Sequence, residues 1–146
     1  MDNYLADLFE QHLLILKEEL LKFKDEENIW RNAPGVTNTA GTLVLHLVGN
    51  LKYTIGTIIG GTGYVRNREQ EFSLTNVPRE QLIADIEATV EILKTSLAGI
   101  TQARFDETYP LEMFSARSTA YYVTHFYGHF NYHLGQVNYL RRILEP

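Results

Sequence analysis

Apolar residues recur at three- and four-residue steps in four separate stretches of this chain, the period of helices that each bury one face. The first runs from residue 2 to about 24, with Asp2 as a candidate N-cap and Leu5, Leu8, Phe9, His12, Leu16, Leu20 and Phe23 along one side. Asp7, Glu10, Lys17 and Glu18 occupy the other. A polar connection follows, broken by Pro34-Gly35, and its Trp30 is placed to lid one end of the core. The second predicted helix starts after Asn38 or Thr39 and reaches about Ile59, where Gly60-Gly61 stops it. Leu43, Leu47, Leu51, Ile55 and Ile58 form its stripe, and His46 lies beside it. Gly49 leaves room for a neighbouring helix or a ligand to approach.

Residues 60–77 read as a connection of about 18 residues, longer than most linkers between packed helices and of the kind that is often functional or mobile. The third helix is predicted to start near Pro78 and to run to about Ala98, with Leu82, Ile86, Val90, Leu93 and Leu97 inward and Gly99 closing it. Residues 100–115 read as irregular, since Pro110 disfavours helix at Tyr109. The fourth helix, capped by Ser115 or Ser118, extends to about Leu144 with Phe126, Phe130, His133, Val137, Leu140 and Leu144 inward. With four long amphipathic helices and no alternating strand, the expectation is an all-α fold, an antiparallel four-helix bundle forming a single domain over residues 1–146.

Composition narrows the chemistry. The chain has no cysteine, which excludes disulfides, thiolate metal ligands and cysteine nucleophiles. A formal charge of −5, with Arg141-Arg142 as the longest basic block, argues against a nucleic-acid partner. The N-terminus lacks a signal-peptide pattern and no stretch approaches the roughly 18 apolar residues of a membrane span, so a soluble cytoplasmic protein is expected.

The remaining distinctive feature is histidine. Three of the five, His125, His129 and His133, stand four residues apart on the fourth helix. A four-residue step turns about 400° and rises about 6 Å, so adjacent members stack and a pair can reach one ion. All three cannot easily do so, because His125 and His133 lie about 12 Å apart along the axis, against a Zn–N bond of about 2 Å. The stripe favours His129 and His133; His125 sits about 80° from His133, toward the edge of the buried face. Two ligands from one helix leave a site incomplete, and His46, on the core-flanking face of another helix, is the candidate third. Three imidazoles leave positions open on a divalent ion, the arrangement of a catalytic rather than a structural site. Zn²⁺ or Ni²⁺ suits such a donor set. His12 reads as a packed, hydrogen-bonded residue, and His125 as a surface residue or one supporting a ligand.

The segments His129-x-x-x-His133-x-Gly135-Gln136 and Leu45-His46-Leu47-Val48-Gly49-Asn50 resemble the DinB/YfiT-like family of metal-binding helical bundles. Asn38-Thr39-Ala40 and the Gly60–Phe72 stretch are similar to a subgroup of it, so the resemblance spans nearly the whole chain. It implies an antiparallel four-helix bundle, commonly homodimeric, with a divalent metal on three histidines that correspond here to His46, His129 and His133. It also implies a thiol S-transferase that activates a low-molecular-weight thiol toward a small-molecule electrophile. A metal-dependent hydrolase, a non-catalytic metal-binding or stress-associated protein, and a purely structural helical dimer are the other readings of the same features. Arg66, Arg68 and Glu71 in the long connection are able to reach over the site and hold an anionic substrate, though the plainer reading is a solvated loop with local ion pairs. Tyr132 and Gln136 flank the ligand pair, and Tyr121, Tyr122 and Tyr127 read as core or dimer contacts.

Overall fold

The computed structural model describes residues 4–146. The predicted Asp2 cap lies outside that range. Six α-helices follow in order: α1 (Tyr4–Lys22), α2 (Ala40–Leu51), α3 (Arg68–Ser73), α4 (Arg79–Leu97), α5 (Gln102–Asp106) and α6 (Thr119–Leu144). A 3-10 turn, Glu26–Trp30, lies between α1 and α2, and α2 widens into a π-helical turn at Lys52–Thr57. The described residues contain no strand, only an isolated bridge between Thr108 and Ser118. None of the described helices is long and apolar enough to cross a membrane.

Four long helices make the body. α1 packs against α4 and α6, and α2 packs against the same two. Each contributes a stripe to a common core: Phe9, Leu13, Leu16 and Leu20 from α1; Leu43, Leu47 and Leu51 from α2; Leu82, Ile86, Val90, Leu93 and Leu97 from α4; Phe126, Phe130, Leu134, Val137 and Leu140 from α6. The α4 stripe is the predicted one. On α6 the inward position after Phe130 is Leu134 rather than His133, a register difference of one residue that turns His133 to the rim of the core. On α1, Leu13 is inward and so is Glu19, which the apolar pattern passes over. Its carboxylate accepts from Arg141 at 2.6 Å and Asn138 at 2.9 Å, and these bonds together outweigh the burial that would raise its pKa. A buried carboxylate needs such partners, so Arg141→Ala is expected to cost roughly 2–3 kcal/mol in a urea melt.

The helix ends follow ordinary capping chemistry. Thr39 caps α2 by accepting from the Thr42 N–H, and Ser118, not Ser115, caps α6 by accepting from the Tyr121 N–H. Gly99, at φ +66°, closes α4 in the left-handed conformation that suits glycine. Arg79 donates to the carbonyls of Leu20 and Phe23, closing the C-terminal end of α1. Trp30 packs against the core and donates its indole N–H to the Val77 carbonyl at 3.1 Å.

Two connections carry helices too short to show a period. α5 seats Phe105 in the core of the segment expected to be irregular, and α3 interrupts the long connection. Beyond α6, Glu145 accepts from the backbone N–H groups of Lys24 and Asp25 and from Asn28 Nδ2. These bonds hold its carboxyl down at about 2, from an ordinary 4.5. A depressed carboxyl contributes stability that is fully present above its unfolded value and fades as pH falls through the folded one. Glu145→Gln is therefore expected to melt lower than the parent at pH 7, with the two melting temperatures converging as pH falls from about 4.5 toward 2.

Candidate metal centre

His46 sits in the middle of α2, on a buried face turned toward α6. His129 and His133 stand one turn apart on α6 and are half-buried. Packing α2 on α6 brings the three rings together, with centroids 5.1 Å (His46–His129), 5.3 Å (His46–His133) and 4.7 Å (His129–His133) apart. One nitrogen from each lies within 4.8 Å of the other two, and the Nε2 atoms of His46 and His129 are 3.3 Å apart. These are the three residues the helical period selects. His125 is not among them: its ring packs on Phe114, Tyr122 and Phe126. His12 is held elsewhere, by Asn131 Oδ1 and the Tyr127 hydroxyl. Of the tyrosines read as core or contact, Tyr122 is fully buried and Tyr121 is half exposed.

Both ends of the imidazole matter for a ligand, and two of the three rings have their far nitrogen fixed. His46 Nδ1 lies 3.0 Å from Glu71 Oε1, and a carboxylate can only accept, so Nδ1 carries the proton and Nε2 keeps its lone pair. His133 Nδ1 donates to Gln136 Oε1 at 2.6 Å, which leaves its Nε2 free in the same way. Burial pushes His129 down to about 4, helped by repulsion from His133 and His46, and burial also lowers His133. Both rings are neutral at pH 7, the state in which imidazole binds a metal. The donor set, the tautomers and the protonation states all fit a divalent ion.

Glu71 is a residue whose role sequence reasoning missed. It is the buried member of α3, and Arg66 grips it through two bonds of 2.8 Å. Burial alone would raise its pKa; the bonds from Arg66 and His46 outweigh that and hold it below the ordinary range. Arg66 and Glu71 do form a local ion pair, but a largely buried rather than a solvated one, because the connection folds back onto α2. It can do so because Gly49 has no side chain: a Cβ there would stand 2.7 Å from the Glu71 carboxyl carbon. Arg66, spent on Glu71, is not free to hold an anion, whereas Arg68 is exposed and lies over the Phe72 ring. One turn beyond His46, the buried Asn50 has a carboxamide oxygen without a partner among the described residues. Gly49 was the one signal in the sequence that something approaches α2 here.

An all-helical protein with three convergent imidazoles able to hold a metal ion is the class this architecture defines. The chain belongs to a family described as a protein of unknown function (DUF1572), whose model matches residues 3–146. No curated protein matches it.

Proposed function

We propose that this chain is a divalent-metal-dependent enzyme of the DinB-like superfamily, an antiparallel four-helix bundle that transfers a low-molecular-weight thiol to a small-molecule electrophile. The observation that carries the reading is the convergence of His46, His129 and His133, with acceptors fixing the tautomers of two of them. Zinc or nickel suits the all-nitrogen donor set. A divalent ion held there supplies the Lewis acidity that lets a thiol ionise near neutral pH.

The chain's own residues do the rest. Glu71 and Gln136 hold the ligand rings in place, so little reorganisation accompanies binding. Arg66 keeps Glu71 charged in a buried setting and so preserves the acceptor that faces Nδ1 of His46. His129 and His133 are only half-buried, which leaves an approach for a small substrate. A homodimer working in the cytoplasm, without nucleic acid, completes the proposal. Exposed Leu14, Ile15 and Leu21 on α1, with Ile143 on α6, offer apolar surface for a second copy.

Protein purified without an affinity tag is expected to take up one zinc or nickel ion per chain in a titration followed by metal analysis. If no ion is bound or gained, the metal reading is wrong. Metal-loaded protein is then incubated with a panel of low-molecular-weight thiols and electrophiles. Turnover no greater than that of His129→Ala across the panel would sink the transferase reading.

A further inference from the structure

The three-histidine cluster is flanked by two exposed aromatic rings. Phe72, from α3, lies 5.0 Å from the His46 ring, and Tyr132, from α6, lies 5.2 Å from the His133 ring. Their exposures are 39% and 66%, so much of each ring is left accessible beside the imidazoles. The Arg68 guanidinium lies 5.0 Å from the centroid of the Phe72 ring, so two 5.0 Å steps connect this cation to His46. Arg68 makes no ion pair among the described residues, in contrast to Arg66, whose charge is taken by Glu71. Beside it opens a cleft of about 510 Å³ bordered by Tyr53, Thr57, Tyr64 and Arg66 as well as Arg68.

We infer that the substrate of this centre has a flat apolar body and a carboxylate, the body lying against Phe72 and Tyr132 and the carboxylate meeting Arg68. The inference rests on the reading of the three imidazoles as the metal centre, and it names the class of molecule brought there. Three physical points support it. Aromatic rings left exposed beside a reactive site offer a planar surface that gains by covering an apolar molecule. A guanidinium resting on a ring through a cation–π contact is held in place without using its N–H donors on another oxygen. Those donors match a carboxylate in a two-bond fork, which a lysine ammonium cannot reproduce. The cleft gives the carboxylate end room, and the Phe72 ring touches both Arg68 and the His46 ring, 5.0 Å from each.

The test is equilibrium binding of 3-phenylpropionate and of its amide, 3-phenylpropionamide, to the zinc-loaded full-length chain by calorimetry. The acid is expected to bind about tenfold tighter than the amide. In Arg68→Gln that preference should shrink to within about twofold, while Arg68→Lys should retain part of it. Any direct contact of carboxylate with zinc persists in every variant, so the difference between parent and Arg68→Gln isolates the guanidinium. Tyr132→Ala should weaken 3-phenylpropionate several-fold and leave propionate unchanged. Equal affinity of parent and Arg68→Gln for the acid, no preference for acid over amide in the parent, or no binding of either would overturn the inference. Zinc titration of the same samples separates the two readings. Normal zinc uptake without the acid preference defeats the substrate class alone, whereas absent zinc uptake defeats the metal centre, and the acid–amide comparison on that zinc-free chain still decides the role of Arg68.

Discussion

Replacing His129 by alanine is expected to lower zinc affinity by a factor of about 100–1000, and His46→Ala and His133→Ala by similar factors. Structural zinc sites gather roughly 10–16 kcal/mol from their ligands, so losing one of three nitrogens removes several kcal/mol, and each 1.4 kcal/mol is tenfold. His125→Ala provides the contrast. Its ring rests on Phe114, Tyr122 and Phe126, and its loss should change zinc affinity by less than about threefold while costing some thermal stability. The measurement is competition with a chromophoric chelator across the four variants. Equal losses at His125 and His133 would mean that the ligand pair is the wrong one.

The second large effect comes from a residue that touches no metal. Gly49→Ala places a methyl where the Glu71 carboxylate sits, so the carboxylate must shift and His46 loses the acceptor on Nδ1. Zinc affinity should fall by about 10–100-fold, the usual consequence of removing the partner of a ligand histidine. Glu71→Gln should fall within the same range without the steric clash, since an amide oxygen accepts more weakly than a carboxylate. Two variants with different causes guard against a trivial folding defect. If both folded normally and bound zinc like the parent, Glu71 would be no more than a structural ion-pair partner.

The extent to which all this was legible in the sequence differs by element. α4 was read nearly to the residue because its stripe is uninterrupted and Pro78 and Gly99 bracket it. α2 was read correctly in its reach, but a π-helical turn keeps the same apolar order as an α-helix, so the widening at Lys52–Thr57 left no mark. On α6 the choice between His133 and Leu134 is one residue in a period of 3.6, and hydrophobicity alone does not resolve it where both flank the core. The difference leaves the cluster of rings intact, because a rim position on α6 still brings His133 within 5.3 Å of the His46 ring. The burial of Glu19 and Glu71 was not legible for a different reason. Glu19 is satisfied by Arg141 and Asn138, and Glu71 by His46 together with Arg66; of these four partners only Arg66 is near in sequence. α3 and α5 are shorter than two turns and carry no period at all.

His46 and His129 are 83 positions apart in the sequence yet share one side of the molecule. An ion gripped by both works as a staple, closing a loop of that size. While the staple holds, the unfolded chain loses the freedom of that loop, worth about 4–5 kcal/mol on the scale used for disulfides. In a chain without cysteine, such a staple would resist reducing agents and open to chelators.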